Sequence, residues 1–186
     1  MAVQVLRHRF TVEDYHRMGE AGILSQNDRV ELIEGEVVEM TPIGSPHGGT
    51  TTFLHYWFSR QLGRRALVRE HNAILLPPHS EPQPDLAIVR VRSDYYRRAH
   101  PQPEDIFFLI EVSDTTGEFD RTVKLPLYAR TSIAEVWIVD LAAQCVEIYR
   151  DPGPSGYERM DRFARGECVT PQAFPDIRLV VDEILG

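Results

Sequence analysis

The sequence predicts one α/β (α+β) domain in which helices flank a mixed β-sheet. Two observations lead to this class. Segments with apolar residues at helical spacing alternate along the chain with short apolar runs bounded by glycine and proline. The chain has 186 residues, 42% of them apolar and 26% charged, which is the size and composition of a single soluble domain covering residues 1–186.

The first elements are predicted from capping and turn residues. Residues 11–18 predict a helix, because Thr11 can cap it and Asp14 follows three residues later as in a capping box. Residues 29–40 predict two short strands that meet at Glu34-Gly35, where glycine supplies the turn. The N-terminal part of the chain is therefore expected to add a β-hairpin to the main sheet.

A longer helix is predicted from His47 to about Leu62. Ser45 is expected to cap it, and Pro46 suits the first helical position. The apolar residues that recur at helical spacing and form one face are Phe53, Leu54, Trp57, Phe58 and Leu62.

Apolar runs predict the strands of the sheet, which are 66–76, 85–91, 106–112, 134–140 and 145–151. The last two are expected to form a hairpin. Residues 117–131 are typical of a helix, although Pro126 should kink or divide it. Two further edge strands (157–169 and 176–181) and a short terminal helix (181–186) complete the prediction.

The overall charge of −8 argues against a protein coated in basic surface, since nucleic-acid-binding proteins usually have a basic footprint. Such a footprint can still be local. Arginines concentrate in two clusters, Arg60, Arg64, Arg65 and Arg69, and Arg90, Arg92, Arg97 and Arg98. A solvated surface is the alternative interpretation of both clusters.

Three features predict a cytoplasmic protein without a membrane segment. No apolar run approaches the roughly 20 residues of a membrane helix. The N-terminus lacks the pattern of a leader sequence. Cys145 and Cys168 are isolated, which suits a reducing compartment and a buried structural role.

Two carboxylates stand out because of where they fall on the predicted strands. Asp85 follows a proline at the start of one apolar strand, and Glu111 lies near the end of the next. If these strands are adjacent and antiparallel, the two carboxylates are neighbours within reach of one cation. Close carboxylates repel, and their hard oxygen atoms suit Mg²⁺ or Mn²⁺. Taken singly, Asp85 could simply start a strand and Glu111 could pair with an arginine.

Lys124 is the only lysine in a chain with 20 basic residues, and it follows Glu111 by 13 positions on the next predicted helix. An exposed helix lysine is the alternative. The same-face neighbour of Glu111 on its own strand is Ser113, which cannot supply a positive charge.

Pro84-Asp85 together with the segment "EVS" at Glu111 to Ser113 resembles the PD-(D/E)XK nuclease motif without its final lysine. A wider set of segments resembles the Uma-type family of putative restriction endonucleases over nearly the whole chain. These segments are "RVELIEGEVVEMTP", "SPH", "PQPDLAIV", "FFLIEVSDTT" and "DRTVKLPLYARTSIAEVWIVD".

The resemblance implies a restriction-endonuclease-like core of helix, three strands, helix and strand, with the N-terminal β-hairpin as an addition. It implies a magnesium-dependent endonuclease acting on DNA, in which Asp85, Glu111 and the backbone carbonyl of Val112 bind Mg²⁺ (or Mn²⁺). Lys124 is expected to reach the same site from its helix. The remaining implied site residues are Glu34 and His47.

Several alternatives stay open at this stage. Glu34 could be a solvated turn carboxylate, and His47 could make only local hydrogen bonds. Gln83 and Tyr128 lie beside the motifs and could orient water or phosphate. A non-catalytic module of the nuclease fold that binds nucleic acid or protein is the rival function. A homo-oligomer, or a protein partner that supplies specificity, is expected because no recognition domain is visible in the sequence.

Overall fold

Helix α1 (Val12–Glu20) is the first element of the structure. The structure is a computed structural model whose described residues are 7–25, 27–114 and 117–186. The backbone N–H of Asp14 donates to the Thr11 hydroxyl at 3.1 Å, and the Asp14 carboxylate accepts from the Thr11 N–H at 3.0 Å. The predicted helix and its capping box are therefore confirmed.

Strands β1 (Val30–Ile33) and β2 (Glu36–Glu39) form the predicted antiparallel hairpin. Both turn residues have positive φ, 49° at Glu34 and 83° at Gly35, as a type I′ turn requires. Gly35 is also needed for space, because a Cβ atom there would lie 2.6 Å from the Cβ atom of Arg9.

Helix α2 (Ser45–Leu62) begins slightly earlier than predicted. Gly44 occupies the N-cap position, so the prediction that Ser45 caps the helix is wrong, and Ser45 is the first helical residue. Pro46 lies in the first turn, where its missing N–H leaves no helical bond unmade. Of the predicted apolar face, the fully buried side chains are Leu54, Phe58 and Leu62.

A six-stranded sheet with the order β3-β4-β5-β6-β7-β8 forms the centre of the fold. Its strands are β3 (Leu67–Glu70), β4 (Leu86–Val89), β5 (Ile106–Ser113), β6 (Glu135–Asp140), β7 (Cys145–Gly153) and β8 (Gly156–Ala164). All neighbours are antiparallel except β5 and β6, which are parallel. The predicted mixed sheet and the β6-β7 hairpin are confirmed, whereas the strand predicted over 66–76 ends at Glu70.

A parallel strand pair needs a crossover, and here the crossover from β5 to β6 is helical. It consists of α3 (Gly117–Phe119), a π-helical turn (Asp120–Lys124) and α4 (Leu125–Arg130). The segment is divided beside Pro126, as predicted: α4 begins at Leu125, directly after the π-helical turn, and Pro126 lies in the first turn of α4.

The two faces of the sheet bury separate cores. One core lies between the sheet and α2, and at its centre the ring of Phe108 stacks on Trp137 while Phe58 packs edge-on against both. The other core lies beneath the hairpin and α4, with Ile33 and Tyr128 among its members. Helices and a hairpin thus cover both faces, as the predicted fold class requires.

The C-terminal segment packs on the α2 side of the sheet. The edge strand predicted over 157–169 is confirmed as β8, which forms one edge of the main sheet and ends at Ala164. Strands β9 (Cys168–Val169) and β10 (Leu179–Val180) form a separate two-stranded sheet, so the prediction of a further edge strand over 176–181 is wrong, and α5 (Val181–Leu185) follows. Cys145 is buried and Cys168 is partly exposed, and both thiols are free.

Among the described residues, no helix combines the length and apolar character needed to cross a membrane. The prediction that the chain has no leader sequence concerns the N-terminus, whose residues 1–6 lie outside the described residues.

Candidate active site

The start of β4 and the end of β5 bring Asp85 and Glu111 together. Leu86 pairs with Ile110 in the antiparallel register, so the next residue outward on each strand is one of the two acids. The backbone N–H of Asp85 donates to Oε2 of Glu111 at 3.3 Å. The two carboxylates are therefore neighbours, as the sequence predicts.

Asp85 accepts hydrogen bonds from three directions. His47 Nε2 lies 2.8 Å from Oδ1, His71 Nδ1 lies 3.4 Å from the same oxygen, and the backbone N–H of Val112 donates to Oδ2 at 2.7 Å. Burial alone would raise the pKa of Asp85, but the hydrogen bonds from the two histidines and from Val112 hold it well below its ordinary value. Asp85 is therefore ionised and fixed in orientation.

Glu111 is only 3% exposed, and its surroundings differ from those of Asp85. Tyr128 donates to Oε1 at 2.6 Å, and Lys124 Nζ lies 3.4 Å from the same oxygen. Burial raises the pKa of Glu111 to about 8, the charges of Asp85 and Asp120 raise it as well, and the Lys124 ammonium opposes them. Glu111 is thus a carboxylate whose ionised form requires a nearby positive charge.

Lys124 projects from the π-helical turn into this group and is buried, so it is not an exposed helix lysine. Its Nζ atom lies 3.4 Å from Oε1 of both Glu31 and Glu111. Burial alone would lower the pKa of Lys124, but Glu111, Glu31 and the other carboxylates around it raise the pKa above its usual value. The ammonium is therefore charged at neutral pH.

Ser113 occupies the strand position at which the PD-(D/E)XK motif has a lysine. Its hydroxyl donates to Oδ2 of Asp120 at 2.7 Å, and both residues are buried. Asp120 begins the π-helical turn that ends at Lys124. The last two residues of the quoted motif, Thr115 and Thr116, lie outside the described residues.

These groups lie in a cleft of about 270 Å³ between the hairpin, the N-terminus of α2 and the π-helical turn. Five carboxylates and two cations line it, together with two histidines. The charged and imidazole side chains are Arg29, Glu31, Glu39, His47, His71, Asp85, Glu111, Asp120 and Lys124. The excess of buried and partly buried negative charge makes the cleft a candidate site for a cation.

The expectation that Glu34 lines the site is not met. Glu34 lies in the hairpin turn, where its carboxylate pairs with Arg130 and its backbone N–H donates to the Ser80 hydroxyl. Glu31, three residues earlier on β1, faces the cleft instead. Its Oε2 atom accepts the backbone N–H of Gln83 at 2.9 Å, which leaves Oε1 toward Lys124.

The remaining predicted residues lie where they can orient the site. His47 hydrogen-bonds to Asp85, and the Tyr128 hydroxyl donates to Glu111. Gln83 lines the cleft, and its backbone N–H donates to Glu31. Burial raises the pKa of Tyr128 well above its usual value, so its hydroxyl remains a donor. The N–H and C=O groups of one strand residue point to the same side, so the Val112 carbonyl faces the same strand edge as the N–H bound to Asp85.

The two arginine clusters do not line the cleft. Arg65 pairs with Asp176, and its guanidinium lies over the Phe174 ring. Similar cation–π contacts involve Arg60, Arg69, Arg90, Arg92 and Arg97. Most arginines of the two clusters thus contact neighbouring side chains of the protein itself.

Five of the nine charged and imidazole side chains of the cleft were not found from the sequence: Arg29, Glu31, Glu39, His71 and Asp120. Glu31 carries the same signal as Glu111, a single charge within the apolar strand "VELI". His71 has a left-handed backbone conformation (φ 49°), which the local sequence does not predict.

The oxygen donors of the cleft suit a divalent ion, but they do not form a complete set of protein ligands. Within the described parts of the chain, no three histidine, cysteine, aspartate or glutamate side chains converge as a metal site. Asp85 and Glu111 nevertheless offer hard carboxylate oxygens side by side, and Mg²⁺ is usually bound by one or two carboxylates with water in the remaining positions.

The fold is shared with a solved structure. The crystal structure of a putative nuclease belonging to DUF820 from Anabaena variabilis superposes with a TM-score of 0.75 and 14% sequence identity, and the match covers 95% of this chain and 97% of that one. At this identity the similarity defines the fold class, a nuclease-like α+β fold with a six-stranded mixed sheet.

The family follows from the sequence. The model of the Uma2 family, described as "putative restriction endonuclease", matches residues 12–182, and the protein therefore belongs to this family. The suggested resemblance is thereby confirmed. Among curated proteins there is no match.

Proposed function

We propose that this protein is a metal-dependent nuclease that hydrolyses phosphodiester bonds of DNA. The observation that carries the proposal is the arrangement of Asp85, Glu111 and Lys124 at the bottom of one cleft. A buried, mutually repelling pair of carboxylates with an ammonium beside it is costly for the fold and suited to phosphoryl chemistry. The family and the fold of the Anabaena protein support the same reaction class.

Asp85, Glu111 and the Val112 carbonyl would hold Mg²⁺ or Mn²⁺. When bound, the ion supplies positive charge against the scissile phosphate and lowers the pKa of a water molecule. The protein's own contribution is orientation: His47 and the Val112 N–H fix Asp85, and Tyr128 fixes Glu111. These contacts position the carboxylates before substrate arrives.

Lys124 stabilises the negative charge that develops on the phosphoryl oxygens as the water oxygen forms its bond to phosphorus and the ester P–O bond breaks. Glu31 and Glu111 hold its ammonium in place from two sides. Because Lys124 keeps its proton at neutral pH, this role suits it better than proton abstraction. The lysine missing at Ser113 is thus supplied from the crossover helix.

Cleavage of supercoiled and single-stranded DNA in the presence of Mn²⁺ tests the proposal. The wild-type protein should nick or cut DNA only when the metal is present, and Asp85→Ala should lose this activity. Asp176→Ala, which removes an exposed carboxylate remote from the cleft, is the matched control and should keep it. Equal cleavage by Asp85→Ala would contradict the proposal.

A non-catalytic module of the same fold is the second candidate. It is favoured by one observation: all four carboxylate oxygens of Asp85 and Glu111 already have hydrogen-bond partners within the protein. Calorimetric titration with Mn²⁺ separates the two functions, because a binding module need not hold metal. Binding that disappears in both Asp85→Ala and Glu111→Ala favours the nuclease, and absence of binding in the wild type favours the module.

We further propose that target specificity comes from a second copy of the chain or from a protein partner. The described residues form the nuclease-like fold and its hairpin, with no separate recognition unit among them. Light scattering during size-exclusion chromatography would give the assembly state, and a monomer with full sequence specificity would contradict this proposal.

A further inference from the structure

The cleft is lined by two kinds of side chain. The carboxylates and Lys124 are one kind. The other kind is apolar and forms what we call the apolar wall: Val38 from β2, Met40 and Ile43 from the segment before α2, and Phe119 at the end of α3. Val38 is the cross-strand partner of Glu31, so apolar and charged side chains lie next to each other in the cleft. The apolar wall takes no part in the chemistry proposed above.

Part of this wall is open to solvent. Ile43 is 39% exposed, and Met40 is only partly buried. Neither side chain belongs to the two hydrophobic cores, whereas Val38 and Phe119 pack against the core beneath the hairpin. Exposed apolar side chains inside a cleft that also holds a few convergent polar groups are typical of a ligand-binding wall.

We propose that the apolar wall binds an unpaired nucleobase next to the scissile phosphate, so that the substrate is single-stranded or locally unpaired DNA. This inference rests on the proposed nuclease function and specifies its substrate. A base exposes its flat, weakly polar faces only when it is unstacked, and such faces pack on apolar and aromatic side chains. A duplex presents phosphates, sugars and groove edges, and keeps the faces of its bases stacked inside the helix.

The depth of the site favours the same substrate. Glu111 and Lys124 are buried at the bottom of a cleft of about 270 Å³, close to the lower end of the volumes of small-ligand pockets. A flexible single strand can place one nucleotide in this cleft. A rigid duplex would have to expose or unpair a nucleotide before its backbone could reach the same depth.

The charge of the cleft points in the same direction. Binding to a duplex depends on many simultaneous phosphate contacts. Among the residues that line the cleft, Arg29 is the single arginine, and it stands at the hairpin side together with Met40. One guanidinium beside an apolar wall suits one phosphate and its base, which is the unit that a single strand presents.

Fluorescence anisotropy in metal-free buffer tests the inference without cleavage. The probes are a labelled single-stranded DNA oligonucleotide and a hairpin-closed duplex of the same sequence. We expect the single strand to bind at least about tenfold more tightly, because in the duplex a base pair must be opened and unstacked before a base can pack on the apolar wall. Equal affinity for the two probes would overturn the inference.

The wall itself is tested with Met40→Ala and Ile43→Ala. Each should weaken single-strand binding by about fivefold, near the lower end of the cost of losing a packed base, and should leave duplex binding unchanged. Ile23→Ala is the matched control, since Ile23 is 70% exposed and lies outside the cleft. Unchanged single-strand affinity in both wall variants would also overturn the inference.

Cleavage of the same two probes with Mn²⁺ separates this inference from the proposed function. If the duplex is cut as fast as the single strand, the nuclease function stands and the inference fails. If neither probe is cut while the single strand still binds through Met40 and Ile43, the recognition of unpaired bases stands and the nuclease function fails.

Discussion

Two buried glutamates on neighbouring strands have opposite surroundings. Glu135 at the start of β6 is 1% exposed and is fully enclosed by donors: Trp137 Nε1 at 2.7 Å, Arg150 Nε at 2.6 Å and the Gln172 N–H at 3.0 Å. Glu111 on β5 is buried to a similar extent but has acidic neighbours and faces a cleft.

The difference teaches how to tell a structural charge from a candidate functional one. Burial is the same in both cases, so burial alone does not distinguish them. What differs is the charge around each carboxylate. The partners of Glu135 are hydrogen-bond donors, Arg150 among them, whereas Glu111 lies beside Asp85 and Asp120, lines a cleft and depends on Lys124. Like charges held together beside a cleft are typical of functional sites.

The largest expected effect concerns the enclosed glutamate. Arg150→Ala should lower the free energy of unfolding by about 3–5 kcal/mol, because it leaves the buried Glu135 charge without its cation. Urea denaturation measures this change. Arg159→Ala, which removes a mostly exposed arginine from β8, is the control and should cost less than about 1 kcal/mol. A small effect of Arg150→Ala would mean that the two glutamates do not differ in this way.

The next effect concerns Lys124. Lys124→Arg keeps the charge but replaces a compact ammonium by a larger planar group in a buried space between Glu31 and Glu111. Cleavage should fall by roughly 10²-fold or more, the scale of losing one transition-state contact. Mn²⁺ affinity should change little, because Lys124 is not a ligand.

Arg130→Lys is the matched control for that substitution, since it is a charge-preserving exchange on the same helical segment outside the cleft. It should retain full cleavage. If Lys124→Arg is also fully active, Lys124 only compensates a buried charge, as Arg150 does for Glu135. The surroundings of Glu111 and Glu135 would then not differ in function.

A third effect is on pH dependence. The pKa of Glu111 is raised to about 8 in the folded protein, so the folded state binds more protons than the unfolded state between about pH 5 and 8. Stability should therefore fall as pH rises through this window, by up to about 4 kcal/mol, because the window spans about three pH units and each is worth about 1.4 kcal/mol.

Glu111→Gln isolates this contribution, because the amide cannot ionise. Unfolding midpoints in urea at pH 5 and pH 8, in metal-free buffer, should differ less in Glu111→Gln than in the wild type. His71, whose hydrogen bond to Asp85 raises its pKa, contributes a slope of the same sign in both proteins. Identical slopes would show that Glu111 is ionised throughout, like a fully compensated charge.

The smallest effect distinguishes arginines of the cleft from those of the surface. Arg29→Ala should reduce the dependence of log affinity for single-stranded DNA on log salt by about 0.7, the value for one phosphate contact on a single strand. Arg64→Ala should leave the slope unchanged, because Arg64 does not line the cleft. The reverse result would assign phosphate binding to the arginine cluster instead.

The sequence was sufficient to predict the neighbouring positions of Asp85 and Glu111, because both depend only on strand ends and antiparallel pairing. It was also sufficient for the hairpin and the capping box, which are local features with strong residue preferences. Lys124 was placed correctly through its rarity and the family resemblance, and not through any periodic pattern.

The rest of the cleft depends on contacts between distant segments. Glu31 and Glu34 are both glutamates in the same hairpin, and only the twist of the turn decides that the first faces Lys124 and the second faces Arg130. His71 reaches Asp85 because the chain turns through a left-handed residue after β3. Such orientations are set by tertiary packing, which a single sequence does not display.

The π-helical turn makes the length of the crossover as important as its composition. A helix advances by about 100° per residue, so one surplus residue shifts the angular phase of everything on one side of it. Here the shift lets Asp120 meet Ser113 on one side while Tyr128 meets Glu111 on the other. Deleting a single residue between them would restore a regular helix and rotate one contact away from the sheet. The segment should therefore tolerate many substitutions but very few insertions or deletions.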